Sequence, residues 1–133
     1  MFRRIRYYFK YVSRGFPLIA IVDDDEPIRK ALSRLLRASE FCVVSFSSGQ
    51  EFLDSLRGPH PDCVVLDFQM PQVNGLDVLR ELRLRGLGVP VIIITAHDEA
   101  IVRANCLAAG ASAYLCKPID EVVLRRAISE AIH

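Results

Sequence analysis

Leu18-Ile19-Ala20-Ile21-Val22 runs without a polar break into Asp23-Asp24, and three later stretches are built the same way. Cys63-Val64-Val65-Leu66 leads into Asp67, Val89 to Ile94 leads into Thr95, and Ala113-Tyr114-Leu115-Cys116 leads into Lys117-Pro118. Short Val/Ile-rich runs that do not alternate with polar residues mark strands buried on both faces, as in a parallel sheet covered by helices. Open α/β sheets hold their ligands beyond the carboxyl ends of the strands. Those ends here carry three carboxylates, a hydroxyl and an ammonium, a set suited to a hard metal and a phosphoryl group.

Helical patterns fill the intervals. Asp25 or Glu26 starts a helix with Pro27 in its first turn. Its apolar stripe is Ile28, Ala31, Leu32, Leu35 and Leu36, with Arg29, Lys30, Arg34 and Arg37 facing water. Cys42 to Phe46 reads as a second strand. Ser48-x-x-Glu51 is a capping box for a helix that buries Phe52, Leu53 and Leu56, and Gly58-Pro59-His60-Pro61 breaks it. Asn74 caps a third helix carrying Leu76, Leu79 and Leu82, ended by Gly86 and Gly88. Ile101, Ala104, Leu107 and Ala108 mark a fourth helix closed by Gly110. Asp120 caps a fifth carrying Leu124, Ala127, Ile128 and Ala131.

Five strands alternating with five helices predict right-handed crossovers and a doubly wound α/β fold, (βα)5, with helices on both faces of a parallel sheet. The expected strand order is flavodoxin-like, 2-1-3-4-5, which sets the ends of the first and third strands side by side. Asp23, Asp24 and Asp67 then meet within a few ångströms. Three ionised carboxylates at that distance repel one another, and a hard divalent cation relieves the conflict. Mg2+ takes one or two carboxylates together with waters and phosphate oxygens, so it is the expected cofactor.

The chain of 133 residues is 51% hydrophobic and 25% charged, in keeping with one globular domain. Its net charge of +1 hides an asymmetry. Arg3, Arg4, Arg6, Lys10 and Arg14 lie before residue 17, leaving the remainder at −4 (12 basic against 16 acidic). No basic stripe crosses the folded part, so direct nucleic-acid binding by this chain is not expected. Residues 1–16 are assigned as a basic, aromatic extension and residues 17–133 as the folded domain. The extension suits an unstructured tail, a start assigned upstream of the true one, or a segment lying on an anionic membrane surface. No run approaches the roughly 20 apolar residues of a membrane-spanning helix. Cys42, Cys63, Cys106 and Cys116 form no C-x-x-C pair and read as buried, reduced thiols in a cytoplasmic protein.

Charge assigns the roles. Asp67 is followed by Phe68-Gln69-Met70-Pro71 rather than a helix start, so its carboxylate is free to attack phosphorus. Phosphoryl transfer needs alignment and neutralisation of the equatorial oxygens, for which Mg2+, Lys117 and the Thr95 hydroxyl are available. Taken singly, each residue has a plainer explanation. Thr95 is an ordinary β-branched strand residue, Lys117-Pro118 a surface turn, Tyr114 core filler, and one acid of Asp23 to Asp25 a helix N-cap. His60, His97 and His133 do not cluster. The joint occurrence, in order and all at strand ends, favours a single site.

At these residues the chain resembles the receiver domain of bacterial two-component response regulators. The likeness rests on Ile21-Val22-Asp23-Asp24, Leu66-Asp67-Phe68-Gln69-Met70-Pro71-Gln72-Val73-Asn74-Gly75, Ile92-Ile93-Ile94-Thr95-Ala96 and Gly110-Ala111-Ser112-Ala113-Tyr114-Leu115-Cys116-Lys117-Pro118. It spans residues 17–133. The stretch Val22-Asp23-Asp24-Asp25-Glu26-Pro27-Ile28-Arg29-Lys30-Ala31-Leu32 is similar to receivers of the nitrogen-fixation (FixJ-type) regulators, which drive a helix-turn-helix output domain.

The resemblance implies that Asp67 is a phosphoacceptor charged by a sensor histidine kinase, and that the chain catalyses only its own phosphorylation and dephosphorylation. It implies Mg2+ ligation by Asp24, Asp67 and the Gln69 backbone carbonyl, with Asp23 acting through water. It implies a switch pair in Thr95 and Tyr114, a salt-bridge role for Lys117 with a cis bond to Pro118, and rate tuning at Gln69 and His97. Homodimerisation on phosphorylation is a further expectation. No output domain follows within the chain to His133. Two alternatives remain open: a haloacid-dehalogenase-type phosphatase using Asp23 and Asp25, and a receiver-shaped adaptor that is never phosphorylated.

Overall fold

A computed structural model describes residues 15–133; the tail assigned to residues 1–16 falls almost wholly outside them. In chain order the elements are β1 Leu18–Val22, α1 Glu26–Ala38, β2 Cys42–Phe46, α2 Gly49–Ser55 and β3 Cys63–Asp67. They continue with α3 Gly75–Leu84, β4 Val91–Thr95, α4 Ala100–Ala108, β5 Ala113–Cys116 and α5 Glu121–Ile132. The sheet is parallel throughout, in the order β2-β1-β3-β4-β5.

Alternation along each strand divides the core into two layers. Ala20, Val22, Val64, Leu66, Val91 and Ile93 pack with α2, α3 and α4. Their neighbours Ile19, Ile21, Val65, Ile92 and Ile94 pack with α1 and α5. β1, β3 and β4 are buried along their whole length, as unbroken Val/Ile runs require.

Caps fix where the helices begin. Asp25 accepts a hydrogen bond from the Ile28 N–H, Ser48 from Glu51, and Asp120 from Val123. Asn74 and Asp77 satisfy each other's backbone in a full capping box. Gly86, at φ 74, lets the chain leave α3.

Several expectations need correction. β5 is the sheet edge and only Tyr114 of its residues is buried, so this strand is not covered on both faces. Cys116 is accordingly exposed, while Cys42, Cys63 and Cys106 are buried. The strand expected from Val89 begins at Val91, because Pro90 has no N–H to offer the ladder. In α1, Ala31 is exposed and Ser33 is buried, and Arg29 folds back onto the backbone instead of facing water. α4 departs most. Ile101 and Leu107 are 66% and 46% exposed, and the buried positions are Cys106 with half-buried Val102 and Ala109.

Candidate functional site

β1 and β3 are hydrogen-bonded neighbours, with Val22 paired to Leu66, so Asp23 and Asp67 leave the sheet side by side. One carboxylate oxygen each from Asp23, Asp24 and Asp67 lies within 4.8 Å of the others. Asp23 is fully buried, Asp67 is 3% exposed, and Asp24 stands open at the mouth.

Asp23 is the structural anchor of the group. Its Oδ1 accepts from the Asp25 N–H at 2.9 Å and its Oδ2 from the Lys117 ammonium at 3.1 Å. Its carbonyl accepts from the Arg29 guanidinium at 2.7 Å. Lys117 also pairs with Asp67 Oδ1 at 3.2 Å, so one ammonium serves two buried carboxylates.

Burial, and then the charge of Asp23, push the Asp67 carboxyl up from 3.8 to about 6; Lys117 and the Gln69 backbone offset this in part. Burial acts to lower the Lys117 pKa, but the charges of Asp67 and Asp23 outweigh it and hold the ammonium above its ordinary value. Three carboxylates face one ammonium. That donor set fits a hard divalent cation.

The loop after β3 is shaped for close approach. Phe68 N–H donates to the Ile94 carbonyl, and Gly75 N–H to the Phe68 carbonyl. A Cβ at Gly75 would stand 2.8 Å from the Asp67 carbonyl oxygen and from Phe68 Cα, so only glycine fits there.

On the far side of the cleft, Thr95 is fully buried at the end of β4. Its hydroxyl donates to the His97 carbonyl at 3.1 Å and accepts from the His97 N–H at 3.2 Å. The Tyr114 hydroxyl reaches the same carbonyl at 3.5 Å. Lys117 N–H donates to the Thr95 carbonyl at 2.7 Å, and the Lys117–Pro118 bond is cis.

Asp23, Asp24, Asp67 and Lys117 therefore converge as the spacing suggested. Thr95 and Tyr114 meet through a backbone carbonyl. The Gln69 and His97 side chains are exposed in flanking loops. Asp25, exposed beside the cleft, caps α1 through one carboxylate oxygen. Sequence reading missed Arg29 on the Asp23 carbonyl and Arg103 over the Tyr114 ring. Arg29 looked like one of four solvent-facing cations, and only its place one turn into α1 could have singled it out.

An acidic cleft at the switch point of a five-stranded parallel sheet, with a donor set that suits a hard cation, defines a flavodoxin-like domain. The chain belongs to the response regulator receiver domain family, whose profile matches residues 19–129. Among curated relatives, the response regulator MprA of Mycolicibacterium vanbaalenii is 40% identical over 109 residues, covering 80% of this chain and 47% of that protein. The chain thus spans about half the length of the curated relatives it matches. A receiver protein from Burkholderia phymatum is 47% identical with a TM-score of 0.77, covering 87% of this chain and 94% of that one. FixJ-N is 32% identical with a TM-score of 0.82, covering 87% and 93%. The chain is a receiver domain of a two-component response regulator.

Proposed function

We propose that Asp67 is the phosphoacceptor of this receiver and takes its phosphoryl group from a sensor histidine kinase in the cytoplasm. The observation that carries this is the buried Asp67 carboxylate, its Oδ1 paired to Lys117 at 3.2 Å and two further acids beside it. Asp24, Asp67 and the Gln69 carbonyl are assigned to Mg2+, with Asp23 acting through water. The bound ion would supply positive charge to the phosphoryl oxygens.

The chain's own groups do the rest. Asp67 attacks phosphorus with a carboxylate oxygen, and the kinase histidine leaves with the bonding pair. Lys117, within ion-pair distance of both Asp23 and Asp67, holds the acceptor in place and offsets charge on the phosphoryl group. Thr95 exchanges its bond to the His97 carbonyl for one to a phosphoryl oxygen. Because Tyr114 shares that carbonyl, the exchange is felt at α4 and β5. Gln69 and His97, exposed at the rim, tune the lifetime of the acyl phosphate. The readout is self-association through the surface of α4, Tyr114 and α5, where Ile101, Leu107, Val122 and Val123 are exposed.

The test is to map the modification after incubation with Mg2+ and acetyl phosphate. One acid-stable, base-labile phosphoryl group is expected on the peptide holding Asp67, and none after Asp67→Asn. A phosphopeptide holding Asp23 would instead indicate the phosphatase reading. No modification of the parent protein would indicate an adaptor.

A further inference from the structure

Tyr114 lies on β5, which no further strand flanks among the described residues, yet the residue is only 4% exposed. Among the described residues its hydroxyl meets only backbone groups, the His97 carbonyl and the Glu99 main chain. The 3.5 Å reach to the His97 carbonyl is at the outer limit of such bonds, and Thr95 contacts that acceptor at 3.1 Å. The ring packs in the same cluster as Cys106 and Val102 of α4. Its other cover is Arg103, one turn into α4, whose guanidinium carbon stands 4.8 Å from the ring centroid. Arg103 Nε lies 3.8 Å from the carboxylate of Asp98, in the loop that also carries the His97 carbonyl, an ion pair open to solvent. One cation thus touches both the Tyr114 ring and the loop to which the Thr95 hydroxyl is bonded.

We propose that Arg103 is a positioning residue for the Thr95–Tyr114 pair: its guanidinium, beside Asp98, holds the Tyr114 ring inward against the β4–α4 loop. Rotation about the side-chain bonds of Tyr114 separates staggered wells, so the balance between inward and outward ring is an equilibrium that a single contact can bias. A cation–π contact at a partly exposed site biases such an equilibrium by about two- to five-fold. The proposal deepens the reading of Asp67 as acceptor, and rests on it only for its effect on phosphorylation.

The ring can be followed without any phosphoryl group. Protein labelled with 3-fluorotyrosine gives a Tyr114 fluorine resonance, assigned by its loss in Tyr114→Phe. Broadening by a soluble gadolinium chelate reads its exposure. Arg103→Gln should raise that broadening by about two- to five-fold, and Arg103→Lys, which keeps a cation, should restore most of the protection. Equal broadening in the parent protein and Arg103→Gln overturns the proposal. So does full protection by Arg103→Leu, because simple apolar cover would then suffice.

A second arm measures the fraction phosphorylated by sub-saturating acetyl phosphate with Mg2+, which should fall in Arg103→Gln by about the same factor and recover in Arg103→Lys. An unchanged fraction beside a more exposed ring overturns the coupling to Asp67. A parent protein that takes no phosphoryl group at all overturns the reading of Asp67, while the fluorine arm still decides the role of Arg103.

Discussion

Replacing Asp67 with asparagine should stabilise the metal-free protein at neutral pH and leave it nearly unchanged in acid. The Asp67 carboxyl is displaced from 3.8 to about 6, chiefly by burial and next by the charge of Asp23. In the unfolded chain the group ionises near its ordinary value. Between these two values the folded state therefore holds more protons, and stability falls as pH rises until Asp67 is ionised in both states. Roughly two pKa units correspond to about 3 kcal/mol at full effect. Asp24 at the mouth is exposed, and water entering there screens part of the penalty, so about 1–2 kcal/mol is the better expectation.

Asparagine keeps the shape and drops the charge. Lys117 is not orphaned, because Asp23 still accepts its hydrogen bond at 3.1 Å. At a few degrees per kcal/mol for a domain of this size, Asp67→Asn should melt about 3–8 °C above the parent at pH 7.5 in chelator. At pH 4 the difference should shrink to about a degree, since the folded-state carboxyl is then neutral and the asparagine is its near-isostere. Paired thermal melts from pH 4 to 8 test this, other carboxylates cancelling in the difference. An Asp67→Asn protein that melts at or below the parent at pH 7.5, or a gap that does not depend on pH, refutes the electrostatic account of the cleft.

Three further outcomes follow from the same geometry. Millimolar Mg2+ should raise the melting temperature of the parent, the stabilisation reaching about 1.4 kcal/mol at ten times the dissociation constant; Asp24→Ala, which removes an exposed side chain, should abolish that gain and otherwise melt normally. Gly75→Ala should cost on the order of 1–3 kcal/mol, read by urea titration, because its Cβ meets backbone atoms at 2.8 Å that cannot rotate away. A disulfide reagent should titrate one thiol of four in the native protein, that of exposed Cys116, and all four in denaturant; burial pushes Cys63 up to about 12, so its thiolate is scarce at any working pH.

The central strands were legible because burial on both faces leaves little room for anything but Val, Ile and Leu, and each such run ends abruptly on a charge or hydroxyl. The acidic cleft followed from topology, since only an order that pairs the first and third strands brings Asp23 to Asp67. Backbone partners left no such mark. Nothing in the identity of His97 announces that its carbonyl receives two hydroxyls, and Arg29 is one basic residue among several on α1. Side-chain type reports what a residue can offer, whereas the acceptor here is a peptide group common to every position.

α4 shows where periodicity itself gives out. Ile101, Ala104, Leu107 and Ala108 form one helical stripe, and Val102, Cys106 and Ala109 form another. In nine residues with a single charge the pattern cannot choose between them. α1 has no such ambiguity, because its outward face carries Arg34 and Arg37. The chain buries the weaker α4 stripe, small and sulfur-containing, and leaves the larger Ile101 and Leu107 in water. Core stability alone would favour the opposite choice, since a buried Leu or Ile contributes roughly 1.5–3 kcal/mol. α4 follows Thr95 and lies over Tyr114, and there it is the larger apolar stripe that faces water. Departures of that kind collect where function constrains a surface more tightly than folding does.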